Sequence, residues 1–286
     1  MCSAPARPLA PHPRIDYSRR MRQFLLLFMI SVLTLPATAH AGAWLRGADE
    51  SMISASYNVY QSNKYYDRNG VLNSQPTFRK HELNVYGEHG VSADWTIGTN
   101  LFLNQVEQSG VTNIGLADSE FFARTQIYNS KKAKLALQPL IKIPSWYQKS
   151  NALQSGSDST DGELMLLYGY NLPAFSARDY LDVGAGYRVR GGSLSDQYRA
   201  YVAYGLHLGQ SLSLVPAAYI TQATNIPNSN NFQQNGEQDY DLTKLNITAF
   251  YALSEATRLY AGLSAEVSGV NTGVGQSVTL GILRNF

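Results

Sequence analysis

Eleven charged residues carry most of the chemistry this chain offers: Lys80, Glu82, Glu120, Arg124, Lys142, Asp182, Arg188, Arg190, Arg199, Lys244 and Glu266. Each falls in a segment where apolar residues recur at every second position, and each takes the opposite parity. Acids and bases on one shared face either pair with each other or recognise a charged solute. Arg188 and Arg190 stand two apart, and Arg199 returns on the next segment. Three guanidinium forks in one place would suit phosphate or sugar-acid groups, because the fork matches oxyanion geometry. Glu163, Asp182 and Glu266 supply the competing reading, in which the charges neutralise one another as internal filling. Catalysis lacks its parts. After residue 41 the chain keeps His81, His89 and His207 and no cysteine, and it shows no metal-ligand spacing. No catalytic residue, metal or cofactor is therefore assigned. Tyr66–Gly70 and Asp158–Glu163 have Ca²⁺-loop-like oxygen ligands but read as solvated loops.

The segments that must position these charges read as about twelve strands: 51–60, 78–87, 95–106, 117–128, 133–146, 163–172, 180–190, 197–208, 212–224, 241–252, 257–268 and 274–286. Leu181, Val183, Ala185, Tyr187 and Val189 alternate with Asp182, Gly184, Gly186, Arg188 and Arg190. Leu259, Ala261, Leu263, Ala265 and Val267 alternate with Tyr260, Gly262, Ser264 and Glu266. Period two with unlike faces is the pattern of a strand between two different solvents. About ten such residues, tilted, cross the roughly 25 Å apolar band of an outer membrane. A mid-membrane charge facing lipid costs about 2–4 kcal/mol, so the charged parity should face the interior. The 163–172 segment, with Leu164, Met165, Leu166 and Leu167, leaves its facing open. Pro139 and Pro216 lie inside two strands and predict bulges or displaced strand ends, because proline cannot donate to the ladder.

Both ends of the chain fit that solvent. Arg19, Arg20 and Arg22 precede the apolar run 24–35, Pro36 ends it, and Ala39-His40-Ala41 offers small residues for a signal peptidase. The run falls short of the about 20 residues that a helical span needs. Residues 21–41 thus read as a signal peptide, 1–20 as a mis-assigned extension, and 42–286 as one all-β domain. The formal charge of +2 belongs to the leader, since residues 42–286 hold eighteen basic and twenty acidic side chains. No nucleic-acid partner follows from it. Phe286 ends a strand with Val278, Leu280 and Ile282 on its own parity. This is similar to the terminal signal by which outer-membrane barrels reach their assembly machinery, with Arg284 replacing the usual aromatic two positions earlier.

The connections alternate in length. Those at 129–132, 209–211 and 253–256 are tight, whereas 61–77, 147–161 and 225–239 are long and polar. Short periplasmic turns and long outer loops are the habit of outer-membrane barrels, with both termini periplasmic when the strand number is even. Tyr86 and Trp95 near one rim, and Tyr60, Trp146 and Tyr147 near the other, read as interfacial girdles.

Phe78–Gly90 followed by Asp94-Trp95-Thr96-Ile97-Gly98 resembles a hairpin of barrels assigned to the meta-pathway of phenol degradation and of the related exopolysaccharide-associated XagA proteins. Gly115–Arg124 and Leu137–Pro144 resemble their next two strands, and Gly42-Ala43-Trp44 their mature start. Ala117 departs from the pattern, which has Gly there. The resemblance covers roughly residues 42–200 and implies a transmembrane antiparallel up-and-down β-barrel in a Gram-negative outer membrane. Twelve strands and the inward parity of the eleven charges read as a narrow channel lined by them, for small solutes, hydrophobic or sugar-derived anions among them. The alternative is a non-conducting barrel that assists surface-polysaccharide assembly. A third reading, a barrel-embedded hydrolase, rests only on the outward parity of His81, which sits in no HxSNG-like run.

Overall fold

The computed structural model describes residues 42–144, 153, 155–157, 159–226 and 239–286. The expected extension, signal peptide, Trp146 and Tyr147 lie outside them. The described chain forms twelve antiparallel strands closed into a barrel. They are β1 (Ser51–Tyr66), β2 (Leu72–Ser92), β3 (Trp95–Gln108), β4 in two pieces (Val111–Leu116 and Ser119–Asn129), β5 (Ala133–Ile143) and β6 (Asp161–Asn171). The others are β7 (Tyr180–Val189), β8 (Gln197–Leu208), β9 (Leu212–Ala223), β10 (Asp241–Ala252), β11 (Thr257–Val270) and β12 (Thr272–Asn285). Each strand pairs with its sequence neighbours. β1 closes the ring on β12, from Met52 opposite Asn285 to Tyr66 opposite Thr272. Closure leaves no edge, which hydrocarbon requires because it offers unpaired N–H and C=O groups no partner.

Alternation sorts the faces. Ile53, Leu101, Leu164, Leu166, Leu263 and Leu280 are exposed on the outside. Ser54, Ser56, Glu88, Thr96, Arg124, Asp182 and Ser277 are buried inside. Four inward glycines take a cross-strand aromatic ring where a Cβ would stand: Gly98 opposite Phe122, Gly184 opposite Tyr201, Gly205 opposite Tyr180, and Gly281 opposite Tyr260. The rings thereby lie close along the inner wall.

Several expectations need correction. The region 61–77 is mostly strand, since β1 and β2 run on through it to a turn at 67–71. β2 has 21 residues, about 70 Å of strand and about twice the height of the apolar band once tilted. Asp67 holds that turn by accepting from the backbone N–H groups of Val71 and Asn69 and from Asn73, and the Val71 contact keeps its carboxyl below the ordinary value. At the same end β3 turns into β4 through Ser109 and Gly110, both at positive φ, as a two-residue hairpin demands. The connections at 144–160 and 224–240 are long there, as expected, so an extended hairpin replaces one of the three expected loops. At the opposite end, the 172–179 turn is longer than the others. Tyr60 and Tyr86 are not girdle residues. Their hydroxyls point inward and donate to Glu266 and Glu88, 2.6 Å each, whereas Trp95 is exposed. The prolines cause no bulge: Pro139 and Pro216 sit where pairing with one neighbour lapses while the register on either side is unchanged.

The face on which Leu280 stands yields a quantitative test. It lies about half-way across the band, counting from the rim at Asn285. Leu280→Lys should destabilise the barrel by about 2–4 kcal/mol in urea unfolding from lipid vesicles, whereas Arg284→Ala near the rim should change stability by less than about 1 kcal/mol. Equal effects would mean that the two faces are wrongly assigned.

Candidate functional site

The interior is built in two unlike halves. On the side of β4–β8 it is filled. Glu163 on β6 accepts from Arg188 Nε at 2.6 Å and Arg199 at 2.7 Å, and Arg188 also reaches Glu120 at 3.0 Å. Lys142 on β5 binds Asp161 at 2.7 Å and Asp118 at 3.2 Å. Arg190 lies between Asp161 and Asp239, at 3.8 and 3.6 Å. The three arginines therefore do not stand as one unpaired basic spot; each faces carboxylates. Period two brings these charges inward, and low polarity then makes pairing obligatory, since a buried charge without a partner is strongly destabilising.

A second set of ion pairs gathers near the termini. Arg124 on β4 reaches Glu88 at 3.1 Å, and Arg46, which precedes β1, reaches the same carboxylate at 2.6 Å. Tyr86 donates to its other oxygen. Glu88 is absent from the eleven residues singled out in the sequence, although it shares the parity of Glu82, Asn84 and Tyr86 and was open to the same argument.

The residues before β1 are the main surprise. Gly42–Leu45 run inside the barrel rather than beside it. Ala43 is fully buried against Ala136, Met165 and Leu167. Trp44 lies where a Cβ on Gly169 would be and meets the Tyr180 ring edge-on at 5.3 Å. Arg124 and Gln126 donate to the carbonyls of Trp44 and Ala43. This settles the facing of β6: Leu164 and Leu166 are outside, and Met165 and Leu167 are inside, apolar because they pack on the N-terminal segment. At the far end, described parts of the 144–160 connection also turn inward. Leu153 is buried against Phe78 and Val106, and Ser157 bonds Asp118.

Along β1 and β9–β12 the lumen stays open. One cavity of about 410 Å³ is lined by Tyr180, Tyr201, Tyr219, Phe250 and Tyr260, with Asn84, Asn246, Thr248, Arg46, Arg258 and Asp182 as polar neighbours. A second, of about 390 Å³, is lined by Asn58, Lys80, Glu82, Lys244, Glu266 and Ser277. They follow one another along the same strands: Ser54 and Asn246 border the first, Asn58 and Lys244 the second. Lys80 pairs with Glu82 at 2.8 Å, Glu266 accepts from Tyr60 and from the Gly275 N–H, and Lys244 stands 5.3 Å over the Tyr219 ring. Thus Asp182, Lys80, Glu82, Lys244 and Glu266 border cavities, while Glu120, Arg124, Lys142, Arg188, Arg190 and Arg199 border neither of these two.

The histidines sit apart from one another. His81 is hydrogen-bonded to Tyr57 at 2.7 Å. His89 bonds Ser51 Oγ at 2.8 Å on the outer surface, a pair that the sequence reading missed because the two residues are 38 apart in the chain. Among the described residues no carboxylate hydrogen-bonds His89, so the orienting third member of a triad is not in place.

No protein-family model matches the chain, and no curated protein matches it either. Solved structures do. An outer membrane channel from Pseudomonas putida F1 superposes with a TM-score of 0.70 at 15% identity, covering 87% of this chain and 100% of that one. The translocator domain of the autotransporter NalP from Neisseria meningitidis superposes with a TM-score of 0.54 at 13% identity, covering 94% of this chain and 95% of that one. The fold is that of a transmembrane outer-membrane β-barrel, with its apolar outer face against lipid.

Proposed function

We propose that the protein is an outer-membrane channel for small solutes, with the termini on the periplasmic side and the 67–71, 144–160 and 224–240 connections outside. The observation that carries this reading is the run of two cavities along β1 and β9–β12, whose walls carry hydroxyl, amide and aromatic side chains beside the Lys80–Glu82 pair of the second cavity. Asn58 donates to Ser277 and Thr279, and Ser264 pairs with Ser277, so the wall satisfies itself and can exchange those bonds with a passing solute. The aromatic rings of the inner cavity fit a ring-shaped solute, sugar or aromatic. Arg258 favours one that carries a carboxylate or phosphate. A cavity of about 410 Å³ suits one ring, not a polymer. Of the eleven charges, the five bordering cavities are assigned to the solute path and the other six to the filled wall. Assembly through the C-terminal strand and Phe286 belongs to the same reading.

A second reading has its own support. Gly42–Leu45 occupy one end of the lumen, and Leu153, Ser155 and Ser157 narrow the other, as a non-conducting barrel in a surface-polysaccharide system would allow. Conductance in planar bilayers separates the two. Discrete single-channel steps are expected from the purified protein, and their absence over a wide voltage range would favour the anchor.

The cavity charges predict selectivity. Lys80 and Lys244 balance Glu82 and Glu266, so the wild type should discriminate weakly. Lys244→Gln should shift the reversal potential toward cations in a salt gradient at about 0.1 M, and the shift should shrink near 1 M, where screening falls to about 3 Å. An unchanged potential would remove Lys244 from the path.

The filled half predicts the opposite behaviour. Glu163→Gln leaves Arg188 and Arg199 sharing one acid fewer in a buried site, a loss of about 3–5 kcal/mol. The heat-modified gel shift should move to lower temperature while ion selectivity stays as in the wild type. A strong gain of anion preference at unchanged stability would place those arginines in the path instead.

A further inference from the structure

The N-terminal segment comes against the barrel wall at Gly42, and the wall there is the carboxylate of Asp182. Any Cβ on residue 42 would collide with both carboxylate oxygens and the carbon between them. Gly42 has φ +86°, so the backbone reaches this position by a conformation that other residues resist. The Ala43 N–H donates to the carboxylate, and Tyr201 Oη donates to it at 3.2 Å. Asp182 is 5% exposed. Among the described residues no arginine, lysine or histidine forms an ion pair with it, and Arg124, which acts on it from farther away, is tied to Glu88. The acids of the filled wall, Glu120 and Glu163 among them, have basic side chains against them; Asp182 has backbone and a phenol.

We infer that Asp182 is a binding site for a primary ammonium, and that its ligand is the α-amino group of Gly42 in the processed chain. This rests on cleavage between Ala41 and Gly42, the position that Ala39-His40-Ala41 predicts. Hydrolysis of that bond converts the Gly42 amide nitrogen, which carries no charge, into an ammonium with three donors. The new cation is created one residue before the Ala43 N–H that already holds the carboxylate. The acid thereby gains the partner that its burial demands. Before cleavage the Ala43 N–H and the packing of Ala43 hold the segment in the lumen without a charge at the site, and cleavage adds the cation. A residue larger than glycine at the new terminus is excluded by the same contact. Docking then seats Ala43 against Met165 and Leu167 and Trp44 against Gly169, which fixes how far the N-terminal segment intrudes on the inner cavity.

The test reads the amine itself and does not depend on conduction. Protein isolated from outer membranes is acetylated with an N-hydroxysuccinimide ester near pH 7, and the tryptic peptide Gly42–Arg46 is followed by mass spectrometry. The wild-type α-amine should react at least about tenfold more slowly than the same five-residue synthetic peptide, because a partner carboxylate holds it in the charged, unreactive form. Asp182→Asn should restore the fast rate, and so should a chain with one extra alanine before Gly42, which keeps Asp182 but displaces the amine by about 3.8 Å. Wild-type reactivity equal to that of the free peptide would overturn the inference even if Asp182→Asn failed to assemble. So would a mature chain that begins anywhere but Gly42, or an extended chain as protected as the wild type. A protein that protects its amine yet never conducts would keep this inference and lose the channel.

Discussion

Closure of β1 onto β12 is the constraint on which the rest of the molecule depends. Once the strands are paired all round the ring, no strand can slip, because one residue of slip would turn the leucines inward and the arginines into lipid. The ring thus fixes which side chains share the interior before any of them interacts. Acids and bases sent there by parity have little water and must find one another. Glu163 between Arg188 and Arg199, and Glu88 between Arg124 and Arg46, are the outcome.

Twelve strands enclose more width than side chains can fill from one wall. The molecule resolves this asymmetrically. β4–β8 carry long charged side chains, and the N-terminal segment packs against them. β1 and β9–β12 carry Ser, Thr, Asn and Gly, with tyrosines set against the wall, and there the space remains. The cavities therefore lie away from the dense ion pairs of Glu163 and Asp161, and meet the network at Lys80–Glu82 and at Arg46.

The barrel was legible in the sequence because period two is a local signal, repeated in about a dozen segments, and membrane solvent makes it strict. Strands 197–208 and 241–252 have the bounds that the alternation predicts. Where a second partner intervened, the signal failed. β6 looked apolar on both faces because Met165 and Leu167 face a piece of the chain's own N-terminus, a contact across more than 100 residues that no periodicity contains. The 61–77 region looked like a loop because its strands rise out of the membrane band, where neither face has an apolar solvent to alternate against. The inward charges were legible as a set, but their pairing was not. Parity tells which face a residue takes; only register tells that Arg188 stands opposite Glu163.

The same distinction bears on Asp182. By parity it is one more lumen acid, equivalent to Glu120 or Glu266. By register it stands opposite Gly169 on β6 and Ala203 on β8, two residues with no charge to offer. Small residues on both flanks make room for backbone to approach, and the backbone that does so is Gly42. A buried acid flanked by small neutral neighbours is a poor solution for a wall that only needs filling, since a neutral side chain would avoid the desolvation altogether. It is a good solution for a wall that must recognise a chain end, because the carboxylate is satisfied only when that end arrives with its own charge.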